Sequence, residues 1–189
     1  MCFTHDTGPS DCVRSAGTLG VKRFDGTKWG ERGAGFFRES QCGYTIAKIV
    51  GSARILDHWM GDEEREMVGN IASDYLLRFG EMDPGGGVYL DTQLEENAWT
   101  ALGLAASGLF LSKSSDPKWN NGVRRWIFSS CSAPVDAENE AIISDGMTVA
   151  DRAGKTFTLL PDYMAENHGF VHPEYTDCGV ISTGHMCTL

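Results

Sequence analysis

The sequence predicts an all-α protein, and three observations support this fold class. Apolar side chains recur at helical spacing in four successive segments between residues 44 and 131. Short stretches rich in Gly, Pro and Asp separate these segments, as is usual between helices. No apolar run approaches the length of about 18 residues that a membrane-spanning helix needs.

The four predicted helices follow one another with short connections. The first covers residues 44–60 and the second residues 63–79, with the break at Gly61-Asp62. The third runs from about Gln93 to Leu111. The fourth begins at Asp116-Pro117, because Asp is a favourable N-cap and Pro suits the first helical position. We expect at least three of these helices to pack as antiparallel neighbours and to bury Trp59, Leu102, Trp119 and Trp126.

The two ends of the chain lack this periodicity. Residues 1–43 are polar and Gly-rich, which predicts an irregular N-terminal segment of loops and turns. Residues 44–189 form the predicted helical domain. After Cys131 we expect irregular structure with one short helix near residues 137–143, and a turn around residues 162–175.

Charge and cysteine content exclude several classes of protein. The chain has 16 basic and 26 acidic residues, a net charge of −10, so no nucleic-acid partner is expected. Its six cysteines form no CxxC pair and are too sparse for a disulfide framework. The first residues lack the basic and apolar regions of a signal peptide.

One face of the third helix carries an unusual polar stripe. Its members stand at positions i, i+3, i+4 and i+7 of an otherwise apolar helix: Gln93, Glu96, Asn97 and Thr100. Such a helix is expected to be largely buried, with the stripe facing solvent or a ligand. Trp99 borders the stripe and is a candidate stacking platform for a sugar ring.

A second polar cluster occupies residues 162–175. It contains Asn167, two histidines and two tyrosines. Pro173 disfavours helical backbone at His172, and Gly169 weakens any helix before it, so both histidines are predicted on a turn. The spacing of the following residues matches no known zinc module, so no metal and no cofactor is expected: His168, His172, Cys178, His185 and Cys187.

Asn, His and Tyr side chains together suit proton abstraction next to a carboxylate. An amide can neutralise the carboxylate while negative charge develops on the neighbouring carbon. A His removes the proton, and a Tyr hydroxyl protonates the leaving oxygen. These are the groups needed for β-elimination in polysaccharides that contain uronic acids.

The sequence resembles the heparinase II/III-like polysaccharide lyases in two motifs. These are Glu95-Glu96-Asn97-Ala98-Trp99 on the third helix and the segment 166–175, ENHGFVHPEY. The resemblance covers roughly residues 44–178 and implies antiparallel helix hairpins of an (α/α) toroid. Because the chain is short for a closed ring, it implies an incomplete ring, as in a fragment or reduced member.

The resemblance also implies roles and a partner. Asn167 would neutralise the carboxylate, His168 or His172 would be the base, and Tyr175 the acid. The implied partner is a polysaccharide or oligosaccharide, and the implied location is extracytoplasmic. The residues implied to bind sugar are Gln93, Glu96, Asn97, Trp99 and Glu166.

Two other functions fit the sequence. The first is a glycoside hydrolase on the same helical architecture, with Glu96 paired with Glu166 or Asp162. Residues 134–189 contain nine acidic and two basic residues. This negative charge favours a neutral glycan as substrate, because it does not repel one. Arg124 and Arg125 on the fourth helix can offset this charge if they face the site. The second alternative is a glycan-binding fragment without catalytic activity.

Overall fold

The structure is a computed structural model that describes residues 42–86, 92–144, 146–154, 156–167 and 169–188. It confirms the all-α class, because helices make up most of these residues and the strands are very short. The α-helices of this part of the chain are α1 (Gly43–Ile55), α2 (Asp62–Phe79), α3 (Leu94–Phe110), α4 (Pro117–Ser129), α5 (Val149–Ala153) and α6 (Pro173–Thr188). The strands form two antiparallel hairpins, β1 (Ile142–Ser144) with β2 (Met147–Thr148), and β3 (Glu166–Asn167) with β4 (Phe170–Val171).

The boundaries of α2 to α4 follow the breaks in the sequence, whereas α1 ends early. At the start of α4, the Asp116 carboxylate accepts a hydrogen bond from the Lys118 backbone N–H at 3.0 Å, and Pro117 follows the cap as predicted. Gly61 precedes α2 in extended conformation. Helix α1 ends at Ile55 rather than near residue 60, and a 3-10 turn at Asp57–Trp59 follows it.

Helix α3 lies at the centre of the fold and contacts α1, α2, α4 and α6. Close approach of the backbones is possible because small residues lie where α1 and α3 meet. A Cβ atom added to Gly103 would lie 2.4 Å from the Gly43 Cα atom, far inside van der Waals contact. Glycine at position 103 therefore fixes the distance between the two helices.

The main hydrophobic core lies between α1, α2, α3 and α4. Burial of Leu102, Trp119 and Trp126 is confirmed, and the indole N–H of Trp126 donates to the Phe79 carbonyl at 3.1 Å. The prediction for Trp59 is wrong, because this side chain is 73% exposed. Since α1 ends at Ile55, its helical phase does not carry Trp59 into the core.

The region after Cys131 is more regular than the sequence predicts. The prediction of a helix near residues 137–143 is wrong, because a 3-10 helix at Pro134–Glu138 precedes strand β1 there. Helix α6 was not predicted at all, and Gly179 within it packs against Leu94 of α3, so an added Cβ would lie 3.3 Å from the Leu94 Cδ2 atom. The sequence of α6 is rich in Gly, Ser, Thr and Cys, so this helix depends on its packing against α3.

Most of the predicted N-terminal segment, residues 1–41, lies outside the described residues, so the boundary at residue 43 stays a prediction. Within the described ranges, none of the helices has the length and apolar character needed to cross a membrane.

Candidate functional site

The start of α3 and strand β3 are joined by hydrogen bonds between residues 74 positions apart. The backbone N–H and the hydroxyl of Thr92 both donate to the Glu166 carbonyl at 2.9 Å. The Glu166 N–H lies 3.3 Å from the Thr92 hydroxyl oxygen. The fold therefore joins the second polar cluster to the segment immediately before α3, through Thr92, which is not a member of the polar stripe.

Asn167 lies at the centre of this junction and is bonded to the protein itself. Its side-chain amide donates to the Glu95 carboxylate, and both residues are buried, with 4% and 3% of their surface exposed. The Asn167 amide was expected to neutralise a substrate carboxylate, but it is hydrogen-bonded to the Glu95 carboxylate instead. Glu95 is not among the site residues predicted from the sequence, because it lies off the polar stripe that contains its neighbour Glu96.

His172 and Tyr175 form an edge-to-face pair where α6 begins. Their ring centroids are 4.7 Å apart at an interplanar angle of 75°. The His172 backbone N–H donates to the Ala165 carbonyl at 3.0 Å, which fixes the residue at the end of the β3–β4 hairpin. The buried Nδ1 atom of His172 has no hydrogen-bond partner among the described residues, so none of them fixes the tautomer of the ring.

The Tyr175 hydroxyl has an environment that favours its neutral form. Desolvation raises the pKa of Tyr175, and the negative charges of Glu95 and Glu96 raise it further. The phenol therefore stays protonated across the neutral pH range and can donate a proton. His168, the other candidate base, lies outside the described residues.

Asn97 does not face the same side of α3 as this pair. Its amide donates to the Gly85 carbonyl at 2.7 Å and to the Ser129 hydroxyl at 3.0 Å, and only 2% of the residue is exposed. Both amide hydrogens are therefore used inside the protein, where they connect α3 to α4 and to the segment before α3. Asn97 was expected to face solvent or a ligand as part of the polar stripe, and its side chain is buried instead.

Thr100, the last member of the stripe, is also buried, and its hydroxyl donates to the Glu96 carbonyl at 2.7 Å. Asn97 and Thr100 are therefore polar residues whose hydrogen bonds lie inside the protein, whereas the buried Oε2 atom of Glu96 has no hydrogen-bond partner among the described residues. Gln93 and Glu96 are half-buried. Gln93 has a left-handed backbone, with φ of 59°, immediately before α3.

Trp99 is half-buried and partly covered by α1. Its ring centroid lies 5.9 Å from that of Tyr44, with the planes tilted by 33°. Tyr44 is 38% exposed, so the two rings form an aromatic surface that is still open to solvent. The Lys48 ammonium lies over the Tyr44 ring, 4.1 Å from its centroid, so it covers part of this surface.

The two carboxylates proposed to pair with Glu96 in a hydrolase differ in burial. Glu166 is buried, whereas Asp162 is exposed. Within the described ranges, no three His, Cys, Asp or Glu side chains are grouped as metal ligands.

Comparisons with known proteins identify no relative of this chain. No family model, no curated protein and no solved structure matches the chain.

Proposed function

We propose that this protein cleaves uronic-acid-containing glycans by β-elimination, on helix hairpins that form part of an (α/α) toroid. The observation that carries the proposal is the contact between His172 and Tyr175, next to the first turn of α3. A base and a neutral acid in contact are two of the groups that elimination requires. The resemblance to heparinase II/III-like lyases supports the same assignment.

In the proposed reaction, the His172 imidazole takes the proton from the carbon next to the uronate carboxylate. The electron pair left on that carbon forms a carbon–carbon double bond, and the bond to the leaving oxygen breaks. The Tyr175 hydroxyl gives its proton to that oxygen, and proton exchange with solvent restores both groups. The Tyr175 phenol enters the reaction protonated, because its ordinary pKa of about 10 already lies above neutral pH and desolvation raises it further.

Other residues support this chemistry from a distance or bind the sugar. Asn167 acts as a positioning residue, since its bond to Glu95 ties the hairpin before His172 to α3. Gln93 and Glu96 supply polar groups at the start of α3. Trp99 provides the stacking surface, together with Tyr44.

A second candidate is a glycan-binding protein without catalytic activity. It is favoured by the burial of Asn97, Glu166 and Asn167, which were expected to touch substrate and are hydrogen-bonded within the protein. In that case the contact between His172 and Tyr175 is a packing interaction that stabilises the start of α6.

One assay separates elimination, hydrolysis and binding. The protein is incubated with a panel of uronate-containing and neutral glycans, and ultraviolet absorbance and new reducing ends are followed together. Elimination yields reducing ends together with the absorbance of an unsaturated uronate. Hydrolysis by Glu96 with Glu166 or Asp162 yields reducing ends alone, and a binding protein yields neither. The proposal requires the first result with at least one uronate-containing glycan.

A further inference from the structure

A cavity of about 280 Å³ lies on the side of α3 that Asn97 faces. Its polar lining comes from α4, from the segment around residue 83 and from the end of α5 and the residues after it: Asp83, Arg125, Ser129, Arg152 and Thr156. Two guanidinium groups and one carboxylate meet there, in a chain whose net charge is −10. The cavity is therefore a local concentration of positive charge in an acidic protein.

Arg125 is held in place by the backbone and only weakly neutralised. One of its terminal nitrogens donates to the Gly80 carbonyl at 2.9 Å, and the other lies 3.6 Å from an Asp83 carboxylate oxygen. The Asp83 side chain is 89% exposed. An ion pair this long and exposed is largely screened by water, so Arg125 keeps most of its attraction for another anion.

Arg152 is also only weakly neutralised, by the charge of the neighbouring Asp151. Its guanidinium lies 5.8 Å from the centre of the Phe128 ring, and no carboxylate of the described residues forms an ion pair with it. The neighbouring Asp151 carboxylate is bonded to the backbone N–H and hydroxyl of Thr148, at 2.8 Å each.

The Nε atoms of both arginines are buried and have no hydrogen-bond partner among the described residues. Because these atoms are inaccessible to solvent, a ligand in the cavity would contact the terminal nitrogens of each guanidinium instead. An oxyanion provides several acceptor atoms at once and matches the planar fork of a guanidinium.

Two hydroxyls complete the donor set. The Ser129 oxygen accepts from Asn97 at 3.0 Å and lies 3.3 Å from the Thr156 hydroxyl oxygen. Whichever hydroxyl donates to the other, one hydroxyl hydrogen of the pair is left over. Because Asn97 donates to Ser129 and does not accept from it, this hydroxyl hydrogen remains available to a ligand acceptor.

We propose that this cavity binds the oxyanion group of a small molecule, such as a phosphate or the carboxylate of an acidic monosaccharide. Its volume is just below the usual range for small-molecule pockets, about 300–1,000 Å³, which favours one charged group with at most one sugar ring. This site is separate from His172 and Tyr175 in its residues, and it does not rest on the proposed elimination activity.

Isothermal titration calorimetry at low ionic strength tests the site with inorganic phosphate, glucuronate and glucose. Binding of phosphate, glucuronate or both, with none of glucose, supports the proposal and identifies the source of the oxyanion. Arg152→Gln should weaken that binding at least about tenfold, because it removes charged hydrogen bonds. Arg124→Gln is the matched control, since it removes the same charge from an exposed neighbour on α4 and should leave binding within about twofold.

Arg125→Gln should weaken binding by a similar factor, and thermal unfolding shows whether loss of its bond to Gly80 has disturbed the fold. If Arg125→Gln disturbs the fold, the test rests on Arg152→Gln alone. The proposal is overturned if neither anion binds more tightly than glucose, or if Arg124→Gln weakens binding as much as Arg152→Gln. Because the readout is binding of a monomeric anion, a protein without elimination activity gives the same clear answer.

Discussion

The Asn167 side chain donates a hydrogen bond to the Glu95 carboxylate across 72 positions of sequence, and both residues are buried. This bond connects the first turn of α3 to the hairpin that precedes His172. A buried carboxylate needs such donors, because its charge is otherwise unfavourable away from water. The bond therefore stabilises the fold at the same place where it orients the candidate site.

Asn167→Ala should lower the free energy of unfolding by about 1–3 kcal/mol, since the buried Glu95 carboxylate loses a donor. Urea unfolding at neutral pH measures the effect. Asn121→Ala, an exposed Asn on α4, is the control and should change stability by no more than about 0.5 kcal/mol. Equal stability of the two variants would show that the bond to Glu95 contributes nothing.

The crossing of α1 and α3 should not tolerate a methyl group at residue 103. Gly103→Ala places a Cβ atom 2.4 Å from the Gly43 Cα atom, so the helices must separate, at a cost of about 1–3 kcal/mol. Gly108→Ala on the same helix meets no atom within 4 Å, and its higher helix propensity should leave stability equal or raise it by up to about 1 kcal/mol. Chemical denaturation of both variants checks this, and a Gly103→Ala protein as stable as the wild type would contradict the close crossing.

Tyr75 should make the protein less stable in alkaline solution. Burial raises its pKa above the ordinary value of about 10, so only the unfolded chain releases this proton as the pH rises. The contribution is fully present below pH 10 and falls above it, by about 1.4 kcal/mol at pH 11. The difference in unfolding free energy between wild type and Tyr75→Phe should therefore shrink by that amount between pH 9 and pH 11. A constant difference would mean that Tyr75 ionises freely in the native state.

Local signals explain why α1 to α4 could be predicted from the sequence. Their apolar spacing and the breaks at Gly61 and at Asp116-Pro117 are properties of neighbouring residues, and the structure keeps them. Helix α6 could not be predicted, because Gly179 and the many small polar residues around it favour no helix until they pack on α3.

The same limit applies to the candidate site. The second cluster does lie against the start of α3, but the residues that join the two, Thr92 and Glu95, were not predicted, and the sequence could not show which side chains turn inward. Asn97 fits a solvent-facing stripe until its partners are known, and these lie 12 and 32 positions away in Gly85 and Ser129. Arg152 lacked any motif, so only the cavity it lines with Arg125 could identify it.

Trp99→Ala should weaken glycan binding about tenfold and leave the turnover rate of bound substrate nearly unchanged. The indole offers a stacking surface and lies outside the proposed proton transfers, so its loss should raise KM rather than lower kcat. Trp59→Ala is the matched control, because Trp59 is exposed on the turn after α1 and belongs to no proposed site. If both variants bind as tightly as the wild type, Trp99 does not contact the glycan.

The central claim is that His172 and Tyr175 transfer protons in an elimination reaction. His172→Ala and Tyr175→Phe should each lower turnover by about 10²-fold or more, the usual effect of losing a general base or acid. Tyr163→Phe is the control, because the Tyr163 hydroxyl is bonded to Asp136 at 2.8 Å and has no role in the proposed reaction.

The most direct test is the single-turnover rate of unsaturated-uronate formation, measured with the melting temperature on the same samples. The account predicts that His172→Ala and Tyr175→Phe lose the ultraviolet signal while they remain folded, and that Tyr163→Phe keeps it. A wild-type protein that forms no unsaturated product from any uronate-containing glycan would contradict the account. So would a His172→Ala protein that melts at a lower temperature but reacts at the wild-type rate.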